Sequence, residues 1–274
     1  MKTNRLVVAA FALGIAAAPT LADEELYLGS VAMDIPATMH KRLTPLVDYL
    51  SEELKQPVRL RLSSDLANAA SDLAAGRVHI AYLTPVAYIK AHKVGDVRLV
   101  AKPITHGASS FRLMLVTRDK GTIHSPKDLV GKSFAFGDKG AILQRAVVVG
   151  AGVALDRLGS VAYLGHYDNI VRGVLAGDFD AGIVKDTTAY EWQKNGLRVF
   201  YASPDLPPYN LAVSRDVNDA TYQKLRAALL KLDQKNPRHR AVIKGLDASY
   251  DGFAPTNDGE YDVVRQLIKP FAAK

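Results

Sequence analysis

The stretch Phe111-Arg112-Leu113-Met114-Leu115-Val116 reads as a strand that opens a second series of βα units. Its counterpart is Tyr209-Asn210-Leu211-Ala212-Val213, set off by Pro207-Pro208. Around both, short apolar runs alternate with helical patterns, as in an α/β chain with largely parallel sheets. The order is lobe, crossing strand, lobe, crossing strand, then helices returning to the first lobe. The expected fold is therefore α/β and two-lobed: residues 23–115 with 210–274 form lobe 1, residues 116–209 form lobe 2, and two crossing hinge strands join them around a ligand cleft. Val116 and Val213 should lie side by side between the lobes, with Tyr82 and Ile142 facing each other across the cleft.

Outward from these crossings, lobe 1 reads as strands at 26–31, 58–62, 78–83 and 97–101. Its helices span 45–54, with Thr44 as N-cap and Pro45 at the first position, 66–75, closed by Gly76, and 85–92 after Thr84-Pro85. Lobe 2 reads as strands at 133–136, 161–164 and 181–184, with helices from 126, 142, 169 and 188. Beyond Val213 only helical patterns are expected, notably 220–232 and 261–271.

Residues 1–22 form an expected secretory signal peptide. Lys2 and Arg5 precede an uncharged run, 6–18, and Thr20 and Ala22 suit cleavage before Asp23. The run is too short to span a bilayer, which takes roughly 20 residues. No cysteine is present, which excludes disulfides, thiolate metal sites, cysteine nucleophiles and a lipid anchor on a cysteine. An exported chain of this length without disulfides fits a periplasm. The net charge of +7 falls to about +5 without the leader, and basic residues are spread rather than interleaved with aromatics, so no nucleic-acid partner is expected.

Three segments carry a resemblance. Tyr82-Leu83-Thr84-Pro85-Val86-Ala87-Tyr88 looks like a strand-to-helix turn whose residue before the proline faces a cleft. Phe136-Gly137-Asp138 looks like the start of an anion loop, and the segment from Tyr167 to Gly182 looks like a ligand-facing residue, a helix, a glycine stop and an Asp-Ala-Gly strand. Together they resemble the phosphate/phosphonate-type periplasmic solute-binding proteins, the capture subunits of ABC importers. The resemblance implies the type II two-lobed fold, a small-molecule ligand, an inner-membrane ABC permease as partner, a monomer, no cofactor, no metal and no catalysis. A reporter to a membrane sensor histidine kinase is the alternative, since it too would present a closed surface to a membrane partner.

The chain departs from that family where the anion is held. Phosphonate binders supply a Ser-Thr-Ser group at a helix N-terminus; here the matching positions are Ala141, Ile142 and Leu143. Each lost charged hydrogen bond removes about 1.5–3 kcal/mol. Leu66 stands where the family often has tyrosine, and Tyr167 where it often has histidine, although a one-residue register change puts His166 there instead. The cleft is thus expected to be more apolar than a phosphonate cleft and to take an oxyanion or a small organic molecule with one polar end.

The candidate ligand-binding residues are Leu66, Tyr82, Thr84, Lys139, Ala141, Ile142, Leu143, His166, Tyr167 and Asp186. Six of them have a second reading. Tyr82 suits a core aromatic, Thr84 a helix cap, Lys139 a solvated lysine, and Ile142 and Leu143 core positions. Asp186 suits a ligand contact or a cap for the next helix. No Gly-x-Ser-x-Gly, His-Glu-x-x-His, phosphate-binding or dinucleotide-binding motif occurs, and the seven histidines are scattered.

Overall fold

The computed structural model describes residues 25–30, 36–62 and 66–271. The expected signal peptide and its cleavage site lie outside these residues. The first sheet contains β1 (Leu26–Ser30), β2 (Val58–Leu62), β3 (Ile80–Leu83), β4 (Arg98–Thr105), β10 (Asn210–Val213) and β11 (Tyr250–Ala254), in the order β11-β4-β10-β3-β1-β2. The second contains β5 (Leu113–Arg118), β6 (Ser133–Phe136), β7 (Ser160–Tyr163), β8 (Ala181–Lys185) and β9 (Leu197–Ala202), in the order β7-β6-β8-β5-β9. β1, β2 and β3 pair in parallel, as do β6, β7 and β8, whereas β10 and β5 run antiparallel inside their sheets.

Each sheet is covered on both faces. In the first, α1 (Pro36–Leu54), α7 (Asp219–Leu230) and α8 (Pro237–Leu246) pack on one side, and α2 (Leu66–Ala74) and α3 (Pro85–Val94) on the other. In the second, α4 (Ile142–Gly150) and α9 (Asp262–Ile268) cover one side, and α5 (Tyr167–Ala176) and α6 (Asp186–Trp192) the other. Two-sided burial explains why β5 and β10 read as continuous apolar runs.

The same burial corrects the expected crossings. Val116 pairs with Gly182 and Val199 within the second sheet, and Val213 with Ile80 and Arg98 within the first, so the two valines are not neighbours. The residues side by side between the sheets are Phe111 and Leu206, which exchange two backbone hydrogen bonds of 3.0 and 2.8 Å. The crossings are short segments just ahead of β5 and β10, and the apolar runs are the strands they feed. The second sheet begins at Leu113, and the first resumes at Asn210.

Other departures are local. α1 starts at Pro36, nine residues before the expected start, and carries Pro45 inside it. The Thr44 hydroxyl donates back to the His40 carbonyl at 2.8 Å and does not cap a new helix. β9 and β11 were not expected as strands. β11 contains Gly252 and a register shift against β4, which weaken the alternation that marks a strand. The last helix packs on both sides: α9 lies on α4 of the second sheet and also on α3 of the first.

Candidate functional site

Three helices begin at one cavity of about 630 Å³. α3 approaches from the first sheet, with Pro85 at its first position and Thr84 as N-cap, the Thr84 Oγ1 accepting from Ala87 N at 3.1 Å. Accepting that bond leaves the hydroxyl proton free to be donated into the cavity. α4 and α5 approach from the second sheet, capped by Ala141 and His166, neither of which makes a side-chain capping bond. Helix N-termini carry unsatisfied N–H groups and partial positive charge, so their convergence favours an anionic group.

Local chemistry fixes the α4 end. Gln144 is buried, and its Oε1 accepts from Gly137 N at 2.7 Å. A Cβ on Gly137 would stand 2.8 Å from Gln144 Nε2 and 3.2 Å from the Gly165 carbonyl, so a larger residue there would push the Gln144 side chain aside. Asp138 Oδ1 accepts from Gly140 N at 2.6 Å and shapes the turn into α4. The walls are largely hydrocarbon, from Val86, Phe111, Leu113, Ile142 and Leu143.

Two tyrosines stand at the cavity from different elements. Burial pushes the Tyr167 phenol up to about 12, with nearby Tyr209 adding to the rise and the Gln144 side chain opposing it. Burial likewise pushes Tyr209 up to about 12. Both therefore remain neutral hydrogen-bond donors at ordinary pH.

Of the expected residues, Thr84, Ala141, Ile142, Leu143, His166 and Tyr167 line this cavity together. Tyr82 does not. It is 1% exposed in the first sheet's core, its Oη 2.5 Å from Tyr250 Oη, and Tyr209 takes the cavity-facing place over it. Ile142 therefore looks across the cavity toward elements bearing Thr84 and Tyr209, not Tyr82.

Lys139 is exposed and lies outside the lining; its carbonyl accepts from Arg145 Nη1 at 2.8 Å. Asp186 is outside it too, because its carboxylate accepts from Arg112 N at 2.9 Å and Thr187 N at 2.8 Å, tying α6 to the first crossing. Leu66 is the first residue of α2, and its side chain lies outside the described residues.

Sequence reading missed Lys90, Arg145 and Tyr209. Lys90 follows Val86 by four residues on α3, and Arg145 follows Ile142 by three on α4, so helical spacing alone put both cations beside named lining positions. No group of three or more His, Cys, Asp or Glu side chains able to hold a metal occurs among the described residues.

Comparison with known proteins bears on the family and the fold. The profile of the family described as "ABC transporter, phosphonate, periplasmic substrate-binding protein" matches residues 28–261. The chain is 25% identical over 273 residues to the phosphate-import protein PhnD of Mycolicibacterium smegmatis, covering 89% of this chain and 85% of that one. Among solved structures, it is similar in fold to a Xanthomonas citri protein bound to chloride ion, with TM-score 0.72, 20% identity, and 89% and 95% of the two chains covered. It is also similar to PhnD1 of Prochlorococcus marinus in complex with methylphosphonate, with TM-score 0.71, 17% identity, and 91% and 98% covered.

Proposed function

The chain belongs to the phosphonate family of periplasmic substrate-binding proteins of ABC transporters, and from that premise we propose which ligand its cleft takes. The protein captures a small ligand between two lobes and delivers it to an importer in the inner membrane. A reporting role to a sensor kinase is set aside, because the family is that of ABC transporter binding proteins and the curated relative is a phosphate-import protein.

The proposed ligand is a small organic anion with one charged end and an apolar body. One observation carries this reading: three helix N-termini meet at a cavity whose α4 edge is Ala141-Ile142-Leu143, with no hydroxyl among them. The N-termini and Tyr167 supply polarity enough for a single charge. A compact phosphonate dianion would meet hydrocarbon at the α4 edge, where the phosphonate-binding pattern offers hydroxyls, and would lose those hydrogen bonds as compensation for its desolvation.

The proposed lobes are the two sheets with their covering helices, hinged where Phe111 meets Leu206. Closure is a population shift in which contacts from both sides favour the closed form. The proposed mature chain lacks residues 1–22, acts as a monomer and performs no chemistry on its ligand.

A thermal-shift screen of the mature chain against phosphate, phosphite, alkylphosphonates, sulfonates and aliphatic and aromatic carboxylates tests the ligand class. A ligand at 100 times its Kd adds about 2.7 kcal/mol of stability. Shifts with amphipathic monoanions are expected. A shift with neutral solutes alone, or a larger one with phosphate than with any organic anion, would overturn the reading.

A further inference from the structure

The C-terminal segment changes cores within one helical turn. Tyr261 is fully buried in the cluster that α2 and α3 form on the first sheet, its ring centroid 4.7 Å from that of Tyr88. Val264 is fully buried in the cluster of α4 and the second sheet, where Leu267 and Ile268 join it. Leu267 sits against the end of α4 so closely that a Cβ on Gly150 would lie 2.7 Å from its Cδ2.

Polar contacts fasten the near end. Lys102 of β4, only 7% exposed, pairs with Glu260 at 2.6 Å. Asp258 accepts from the Tyr88 hydroxyl of α3 at 2.7 Å and is gripped by Arg265 of α9. Arg265 also bonds the Asp258 carbonyl at 3.1 Å and Asp262 at 2.7 Å, and His92 Nε2 stands 3.8 Å from the Asp258 carboxylate. One carboxylate thus joins α3 to α9 while the apolar face of α9 holds α4.

α3 and α4 are the helices whose N-termini face each other across the cavity. We propose that residues 258–268 form a third connection between the lobes, and that α9 sets the spacing of α3 and α4. Arg265 and Leu267 are then positioning residues: neither lines the cavity, yet they fix how far apart the two anion-facing helix ends stand. The importance of that spacing rests on the anion reading above; the connection itself does not. An element anchored in two cores has to bend or slide when the cleft closes, so weakening either anchor should widen the range of lobe separations.

The absence of native cysteine allows labels at two introduced sites alone. Spin labels on Lys224→Cys in α7 and Glu191→Cys in α6, both exposed, report the distance between lobes by pulsed electron resonance without ligand. Arg265→Ala and Leu267→Ala should each broaden the distance distribution about twofold, and Leu267→Met, which keeps the volume, should restore it. Asp258→Asn serves as a second variant at the polar end if Leu267→Ala does not fold. Distributions identical to the parent's in folded Arg265→Ala and Asp258→Asn proteins would overturn the proposal, as a purely stabilising role lowers Tm without moving the lobes. A ligand screen that finds no anion would defeat the anion reading and leave the distance result standing.

Discussion

Tyr209 stacks on Tyr82 with ring centroids 5.1 Å apart and planes inclined by 21°. The two rings divide the work that sequence alone assigned to Tyr82. Tyr209 comes from the second crossing and borders the cavity, whereas Tyr82 lies behind it in the core, hydrogen-bonded to Tyr250 of β11. The cleft wall is therefore backed by an aromatic layer drawn from β3, β11 and the second crossing.

That division predicts opposite phenotypes. Tyr82→Ala should cost about 3–5 kcal/mol of fold stability, as for other large buried aromatics, read from urea unfolding. Tyr209→Ala should cost less stability and more ligand affinity. Equal stability losses in the two variants would place both rings in the core.

Acid stability should depend on Asp180. Burial raises its carboxyl, but hydrogen bonds from Ser133 N at 2.9 Å and Ser133 Oγ at 2.8 Å, with the Lys132 and Arg118 charges, outweigh burial and hold it below the usual range. A depressed folded value means the unfolded chain binds the proton more readily. The contribution is complete above the ordinary carboxyl value of about 3.9 and is lost as pH falls through the folded value. Asp180→Asn should lower stability at pH 7 and flatten the decline as pH falls below the ordinary carboxyl value. Parallel stability curves for the two proteins would remove Asp180 from the acid limb.

The order of βα units, the two-lobed α/β class and the helix starts at Thr84 and Ile142 were legible because caps and periodicity are local signals. What failed was anything that needed a face or a partner. β3 is buried on both sides, so alternation could not say that Tyr82 points away from the cavity. Pro45 looked like a helix start because proline suits that position, and only packing of α1 against α7 and α8 shows the helix continuing through it. Lys139 was named and Arg145 missed, since which of two nearby cations turns inward depends on the turn made by Asp138 and Gly140. The crossing strands were misplaced for a similar reason: strong apolar runs marked central strands, while Phe111 and Leu206 pair in a segment too short to give a pattern.

Restoring hydroxyls at the α4 edge should change selectivity. The triple variant Ala141→Ser, Ile142→Thr, Leu143→Ser supplies donors where the cavity now has hydrocarbon. Titration calorimetry should show methylphosphonate binding weakly to the parent and at least tenfold tighter to the variant. One gained charged hydrogen bond, about 1.5 kcal/mol, suffices for that factor. Submicromolar methylphosphonate affinity in the parent would contradict the apolar reading of this edge.

Tyr167 is the residue whose replacement separates hydrogen bonding from packing. It stands at the first turn of α5, half-buried, with its phenol pushed up to about 12, so it stays a donor across pH 6–10 and ligand affinity should show no step from its ionisation there. Tyr167→Phe should weaken the best ligand of the thermal-shift screen about fivefold, near 1 kcal/mol, if the hydroxyl bonds the anion. Tyr167→Ala should weaken it further, because the flat ring face is lost as well. The stability cost of that second change should remain below that of Tyr82→Ala, since Tyr167 is only partly buried at the margin of its clusters. Should Tyr167→Ala unfold the chain while its folded fraction binds normally, the tyrosine is structural. The exposed His166, which borders the same cavity one residue earlier, then becomes the ligand-facing group, and His166→Ala should abolish binding instead.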